Sequence, residues 1–209
     1  VVVLVDVDDV APAFTSNASF SAAENQTAIG TVTATDTDTN DSLIVFSISD
    51  SELAITSGGV LTFSSAPDYE TKSSYSATVT ANDGTNSSTQ NITVSVTNVN
   101  EKPVITSASS FSADENQTDI GVITATDADG DQLSFSLSDG DAELMSIDPI
   151  TGMLNFRSPP DFEKKRFYNT YVIVSDGEFE ESLAITVDVN DVNDAPYFTD
   201  WRDSNYELI

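Results

Sequence analysis

The chain has 209 residues, of which 35 are Asp or Glu and 7 are Lys or Arg, so the formal net charge is −28. This charge argues against binding to nucleic acid or to an anionic membrane surface, because both repel a polyanion. The sequence contains no His and no Cys, which removes the usual general base, the thiol nucleophile, disulfide bonds and the soft ligands of zinc, copper and iron–sulfur sites. Only metal ions with oxygen ligands remain plausible cofactors.

The predicted elements are all β-strands. Five stretches alternate apolar and polar side chains with a period of two and are rich in Val, Ile, Thr and Phe, which is typical of strands. They are residues 30–34, 43–48, 60–63, 76–80 and 92–96. Turn residues separate them, and no segment has a sustained period of 3.6. Seven short strands in about 90 residues predict a β-sandwich of immunoglobulin-like shape.

The sequence also repeats itself. Residues 20–27 return as residues 111–118, and residues 67–70 return as residues 160–163. A proline preceded by acidic and amide residues occurs three times, at Pro12, Pro103 and Pro196. Such self-similarity predicts tandem repeats cut from a longer array. We assign 1–10 to the end of a preceding repeat and its linker, 11–101 to repeat 1, 102–194 to repeat 2 and 195–209 to the start of a following repeat.

The acidic residues are expected at the two ends of each sandwich. An odd number of strands makes the chain enter and leave at opposite ends, so the repeats are predicted to stack as a rod. We count the seven predicted strands of one repeat from its N-terminus. The loops after the second, fourth and sixth strands then lie at the entry end, and the loops after the first, third and fifth strands lie at the exit end. The predicted entry residues are Asp36, Asp38 and Asp83 in repeat 1 and Asp127, Asp129 and Asp176 in repeat 2. The predicted exit residues are Glu24, Asp68 and Glu70, then Glu115, Asp161 and Glu163.

The linkers supply further oxygen atoms at Asp6, Asp8 and Asp9, at Asn98, Asn100 and Glu101, and at Asp191, Asn193 and Asp194. Seven carboxylates are therefore predicted to converge between the two repeats, where Lys102 is the only base. Two carboxylates ~5 Å apart repel by about 0.8 kcal/mol even in water, so the cluster predicts a bound cation. Calcium is favoured over magnesium because it accepts 6–8 oxygen ligands in irregular geometry. We expect several Ca²⁺ ions at the inter-repeat junctions.

The linkers resemble those of cadherins. Residues 6–14 (DVDDVAPAF) are similar to the cadherin linker D-x-N-D-N-A-P-x-F, and residues 191–198 (DVNDAPYF) to the shorter form in bacterial cadherin-like repeats of large surface adhesins. Residues 98–103 (NVNEKP) have lost the Asp residues of this motif, which predicts fewer or weaker ions at the middle junction. Tyr69 and Phe162 replace the basic residue of the family's D-R-E motif.

The loops carry the family's other motifs: D-x-D at 36–38 and 127–129, both acids of D-R-E at 68–70 and 161–163, A-x-D-x-G at 81–84 and, without its Ala, at 174–177, and a characteristic turn at 147–154. The resemblance implies tandem Greek-key sandwiches with calcium at each junction and the named acids as ligands. It also implies an extracellular location, on a cell surface or after secretion.

Two classes of function stay open. The first is a calcium-stiffened structural and adhesion segment whose partners are the neighbouring repeats of its own chain. The second is a binding module for polysaccharide, another adhesin or another copy of itself. Sugar binding requires exposed aromatic faces, and the candidates are Trp201, Tyr206, Tyr168 and Phe179.

An enzyme is not expected. Asp68 and Glu70 could be taken for a glycosidase pair, but the same pair recurs at the equivalent loop of repeat 2. Residues 127–138 are not an EF-hand, because Gly130 falls at position 4 instead of position 6. Membrane insertion is not expected either, since no apolar run approaches the ~20 residues that a bilayer requires. Asn17, Asn25, Asn86, Asn91 and Asn116 begin N-x-S/T triplets, which in a Ser/Thr-rich sequence also arise by chance.

Overall fold

The computed structural model describes residues 10–193. The chain divides into two compact units, Val1–Asn100 and Glu101–Ile209, called unit 1 and unit 2 below. The described parts of both units consist of β-strands and two short 3-10 helices, Asp41–Leu43 and Ala142–Leu144. Neither of these helices is long or apolar enough to cross a bilayer.

Unit 1 is a sandwich of a four-stranded and a three-stranded sheet. The strand order is β2-β9-β8-β5 in the first sheet and β3-β7-β6 in the second, and β1 pairs with β4. β2 runs parallel to β9, and the other pairings are antiparallel. The strands are β1 (Ala13–Phe14), β2 (Ser19–Ala23), β3 (Ala28–Thr31), β4 (Ala34–Thr35), β5 (Val45–Ile48), β6 (Leu53–Ile55), β7 (Val60–Phe63), β8 (Ser74–Asn82) and β9 (Ser87–Thr97).

Unit 2 has the same topology. Its sheets have the orders β11-β18-β17-β14 and β12-β16-β15, and β10 pairs with β13. The strands are β10 (Val104–Ile105), β11 (Ser110–Asp114), β12 (Asp119–Val122), β13 (Ala125–Thr126), β14 (Ser134–Ser138), β15 (Met145–Ile147), β16 (Met153–Phe156), β17 (Phe167–Ser175) and β18 (Glu180–Asn190). The predicted all-β Greek-key sandwich is confirmed.

The predicted continuous strand at 30–34 is wrong in detail. The chain leaves the three-stranded sheet after Thr31, and the N–H of Val32 donates to the carbonyl oxygen of Gly59 at 2.8 Å. It then joins β1 through the short strand β4. The first strand of the sandwich is divided in the same way, into β1 and β2. Each of these two strands therefore contributes to two sheets.

Each unit has its own hydrophobic core. The strands alternate buried and exposed side chains, as in β9, where Ile92, Val94 and Val96 point inward. Leu61 in unit 1 and Leu154 in unit 2 are completely buried. Burial of one such side chain contributes about 1.5–3 kcal/mol, so the cores account for the stability of the scaffold that carries the loops.

Glycine is required in the turn that follows β6 and in the turn that follows β15. Gly59 and Gly152 have φ angles of 87° and 69°, and a Cβ atom at either position would lie 2.2 Å from a backbone carbonyl oxygen. Asp148 fixes the second turn by accepting from the backbone N–H groups of Ile150 at 3.0 Å and Thr151 at 2.8 Å. The turn expected at 147–154 is thus the hairpin between β15 and β16.

Several aromatic side chains differ from expectation. Tyr168 was expected to be exposed, but it is 7% exposed and packs against Phe156 with ring centroids 4.8 Å apart, so that prediction is wrong. Phe179 is 42% exposed, as expected. Phe167 and Tyr171 also lie on the outer face of β17 and are exposed. Trp201 and Tyr206 lie outside the described residues.

The four-stranded sheet of unit 1 is electrically neutral. None of the residues in β2, β9, β8 and β5 carries a charge. The exposed positions of β8 and β9 are Ser, Thr and Asn, and the hydroxyl of Thr78 donates to Oδ1 of Asn91 at 2.8 Å. Within residues 10–100, the acidic residues of unit 1 therefore all lie outside the strands.

Candidate metal centres

A buried glutamate organises the exit end of unit 1. Glu24 follows β2 directly and is 3% exposed. Its Oε2 accepts from the backbone N–H of Tyr69 at 2.8 Å, and its Oε1 accepts from the backbone N–H of Val99 at 2.9 Å. One carboxylate thereby joins the β2–β3 turn, the β7–β8 loop and the segment after β9.

Two further carboxylates lie beside Glu24. Oxygen atoms of Glu24, Asp68 and Glu70 lie within 4.8 Å of one another. Asp68 also accepts from the backbone N–H of Thr71 at 2.9 Å and from its hydroxyl at 3.0 Å. Three like charges at this spacing repel one another, and a hard cation is the kind of ligand that would offset the repulsion.

The exit end of unit 2 also contains a cluster of three carboxylates around a buried glutamate, but one of the three residues comes from a different segment. Oxygen atoms of Glu115, Glu163 and Asp191 lie within 4.8 Å of one another. Asp161, the counterpart of Asp68, instead forms an ion pair with Lys164, with 2.7 Å between Nζ and Oδ2. The hydrogen bond from Lys164 lowers the pKa of Asp161. Asp191, from the segment after β18, completes the cluster.

At the entry end of unit 1, aspartates shape the loops with one oxygen each. Oδ1 of Asp36 accepts from the N–H groups of Asp38 and Thr39, both at 3.0 Å. Oδ1 of Asp83 accepts from the N–H groups of Thr85 at 2.7 Å and Asn86 at 2.6 Å. These bonds explain why Asp occupies these turns even without any ligand.

The second oxygen of these aspartates is differently placed. Oδ2 of Asp36, of Asp83 and of Asp127 in unit 2 is buried and has no hydrogen-bond partner among the described residues. A buried anionic oxygen without a partner is costly. In each of these side chains one carboxylate oxygen accepts hydrogen bonds from the loop backbone, and the other is buried without a hydrogen bond. This arrangement is suited to a metal ligand.

The entry end of unit 2 contains a cluster of three aspartates. Oxygen atoms of Asp127, Asp129 and Asp131 lie within 4.8 Å of one another. Oδ2 of Asp129 accepts from the N–H of Glu101 at 3.0 Å. The sequence prediction missed Asp131, although the alternation of Asp at 127, 129 and 131 could have indicated it.

The remaining predicted ligands have the following places. Asp38 accepts from the N–H of Val10 at 3.1 Å, and Oδ1 of Asp176 accepts from two N–H groups of its own turn at 2.7 and 2.6 Å. Asn98 directly follows β9 and Asn100 lies two residues further on, while Asn193 lies three residues after the end of β18. Asp6, Asp8, Asp9 and Asp194 lie outside the described residues.

Two successive Greek-key sandwiches with clustered carboxylates in the loops at their ends define a class of tandem β-sandwich repeat proteins. The family model described as Cadherin domain matches residues 18–97 and 109–190. The chain belongs to the cadherin family. The cadherin-like resemblance seen in the sequence is confirmed, and its bacterial subtype stays a prediction.

Relatives among characterised proteins are much longer than this chain. Mouse protocadherin Fat 4 is 30% identical over 215 residues, which is 93% of this chain and 4% of the relative. Cadherin-4 of Caenorhabditis elegans is 38% identical over 117 residues, 51% of this chain and 3% of the relative. The chain therefore spans a small part of the relatives that it matches.

Solved structures show the same fold. Repeats EC22-24 of mouse cadherin-23 match at 27% identity and a TM-score of 0.61, covering 90% of this chain and 67% of that chain. Repeats EC1-2 of human protocadherin-24 match at 20% identity and a TM-score of 0.69, covering 88% of this chain and 100% of that chain. Both are tandem extracellular cadherin repeats by their description.

Proposed function

We propose that this chain is a calcium-binding structural segment of a cell-surface or secreted adhesion protein. The observation that carries the proposal is the buried, unbonded Oδ2 of Asp36, Asp83 and Asp127. These atoms point to a cation, and the oxygen-only donor set selects a hard one. Calcium suits the mixture of carboxylate and amide ligands better than magnesium, which demands near-ideal octahedral geometry.

The proposed ligands are the carboxylates at the two ends of each unit together with the linker residues. At the exit ends they are the clusters around Glu24 and Glu115. At the entry ends they are Asp36, Asp38 and Asp83 in unit 1 and, in unit 2, the cluster of Asp127, Asp129 and Asp131 together with Asp176. When bound, calcium supplies positive charge that neutralises repulsion among these groups. Asn98, Asn100 and Glu101 are proposed as linker ligands on the strength of the sequence.

We further propose that ion binding stiffens the chain at the linkers. In chain order, the linker 98–103 lies between the acidic exit loops of unit 1 and the acidic entry loops of unit 2. Ions bound by the exit loops, the linker and the entry loops together would restrict rotation about the bonds of the linker. Lys102 places a positive charge in this linker and pairs with Glu181. The middle linker is therefore proposed to hold its ions more weakly than one with the full set of Asp residues.

The relatives support the proposed setting. Protocadherin Fat 4 and cadherin-4 are named as cadherins. For this chain we propose an extracellular location and a role that is not enzymatic. Its main partners are proposed to be the neighbouring repeats of the same protein. A polysaccharide-binding or homophilic module is the alternative. Its polysaccharide-binding form receives less support, because Tyr168, one of the four aromatic residues considered for sugar binding, is buried.

Calcium titration of the whole chain tests the proposal. Thermal unfolding is followed with excess chelator and with millimolar calcium for the wild type, Asp127→Asn and the control Asp188→Asn, an exposed residue of β18 outside every cluster. A site filled at 100-fold above its dissociation constant contributes about 2.7 kcal/mol. We expect calcium to raise the Tm of the wild type and the control, and to raise that of Asp127→Asn less. An identical Tm with and without calcium in the wild type would overturn the proposal.

A further inference from the structure

Glu24 makes bonds that require no metal. Its two oxygens accept from backbone N–H groups of Tyr69 and Val99, which belong to two separate segments. Its own N–H donates to the carbonyl oxygen of Thr97 at 3.1 Å, and the next residue, Asn25, donates its N–H to the carbonyl oxygen of Pro67 at 3.0 Å. Four hydrogen bonds thus hold one turn against the β7–β8 loop and the end of β9.

Unit 2 repeats the arrangement almost atom for atom. The oxygens of Glu115 accept from the N–H groups of Phe162 and Val192, both at 2.9 Å. The N–H of Glu115 donates to the carbonyl oxygen of Asn190 at 3.1 Å. Asn116, like Asn25, has a left-handed backbone, with φ of 63° against 61°, and donates to the carbonyl oxygen of a proline. Because both units contain this arrangement, it is a structural feature of the repeat itself.

Burial separates these glutamates from the other members of their own clusters. Glu24 and Glu115 are 3% and 4% exposed and are the most buried acidic residues in residues 10–193. Glu163, in the same cluster as Glu115, is exposed. Charged hydrogen bonds in a buried setting are stronger than neutral ones at the surface. The two buried glutamates therefore have a structural task that the exposed cluster members do not share.

We infer that Glu24 and Glu115 are positioning residues that tie the exit segment to each unit in the absence of any ion. They hold Val99 and Val192, the residues that begin the path out of each sandwich, against the β7–β8 and β16–β17 loops. The glutamates also set the spacing of the carboxylates before a cation binds, and this consequence rests on the proposed function. The hydrogen bonds that hold the exit segment without an ion do not depend on the proposed function.

The substitution Glu115→Gln isolates this role. A carboxamide keeps one acceptor oxygen and replaces the other with an NH₂ donor, which would face a backbone N–H. The N–H of either Phe162 or Val192 then loses its partner at a partly buried position. Glu163→Gln removes one charge from the same cluster without touching these bonds, and is the matched control.

The test uses the whole chain in excess chelator. Glu115→Gln is expected to lower the Tm of unit 2 by about 5–15 °C, and Glu163→Gln to change it by less than ~3 °C. The transition of unit 2 is the one that Leu154→Ala moves. Equal Tm values for the two Gln variants would overturn the inference.

Amide hydrogen exchange of the wild type keeps the inference testable if Glu115→Gln does not fold. In chelator, the N–H groups of Tyr69, Val99, Phe162 and Val192 are expected to exchange at least tenfold more slowly than in an unstructured peptide. Exchange at the unstructured rate would overturn the inference. If calcium changes neither Tm nor exchange while these four amides are protected, the proposed function fails and the inference stands.

Discussion

The ammonium group of Lys165 lies 4.7 Å from the centroid of the Tyr168 ring and forms an ion pair with Asp141. The ring of Tyr168 in turn packs edge-on against Phe156 in the core of unit 2. In unit 1, Lys72 has the same relation to Tyr75, at 4.2 Å, and pairs with Glu52. A chain with seven basic residues uses two of them to cover tyrosines that belong to a core or pack against one.

The pair in unit 2 predicts a loss of stability in acid. Burial alone would raise the pKa of Asp141, but hydrogen bonds from Lys165 and from the backbone of Asn169 together lower it below 3.8. Because the folded pKa lies below the unfolded one, the contribution is complete above the unfolded pKa and is lost as the pH falls through the folded pKa. In chelator, the difference in unfolding free energy between the wild type and Asp141→Asn should be constant from pH 7 to about pH 5 and shrink below pH ~4. A difference that stays constant down to pH 2 would contradict this.

The two cores are predicted to respond separately to truncation. Leu61→Ala and Leu154→Ala remove completely buried side chains, and each should cost about 2–5 kcal/mol in urea unfolding of its own unit. Val60→Ala and Met153→Ala are the neighbouring controls, since these side chains are 48% and 51% exposed, and should cost under about 1 kcal/mol. A loss of similar size in both units from one substitution would show that the cores are not independent.

Gly152→Ala is predicted to be more harmful than Gly177→Ala. Both residues have a positive φ, 69° and 101°, so both substitutions carry a strain of roughly 1–2 kcal/mol. At Gly152 the new Cβ would also lie 2.2 Å from the carbonyl oxygen of Ile123, whereas nothing lies within 4 Å at Gly177. Thermal unfolding should show the larger fall in Tm for Gly152→Ala. Equal falls would mean that the β15–β16 turn moves to accommodate the methyl group.

The fold was predictable because its signals are local and repeated. Alternating apolar residues, turn residues and the duplicated motifs all indicate the same sandwich. Tyr168 was mispredicted because Phe167 and Tyr168 are adjacent in β17, so one must point outward. The pairing of Tyr168 with Val187 decides which one, and the pattern of a single strand does not contain that register.

The candidate site was partly predictable for a related reason. The strand count indicated to which end of a sandwich each acid belongs, and the structure places Glu24, Asp68 and Glu70 together accordingly. The pairing of Asp161 with Lys164 depends on side-chain geometry, and motif matching treats Asp68 and Asp161 as equivalent. The role of Asp131 was missed because the family pattern stops at the second Asp.

Asp131 therefore gives a further prediction. Asp131→Asn should weaken calcium binding by about tenfold, since one anionic oxygen leaves a cluster whose members lie within 4.8 Å and a tenfold change corresponds to about 1.4 kcal/mol. Isothermal titration of the whole chain measures the change. Asp119→Asn, an exposed residue of β12 outside the clusters, is the control and should bind as the wild type does. Unchanged affinity in Asp131→Asn would remove Asp131 from the proposed ligands.

The neutral sheet of unit 1 has a consequence for solubility. The edge strands of this sheet, β2 and β5, carry none of the charged residues that usually prevent one sheet edge from pairing with another. Separation of one molecule from the next must then come from the carboxylates in the loops. When acid neutralises those groups, the edges of this sheet in unit 1 are where one molecule would begin to pair with the next.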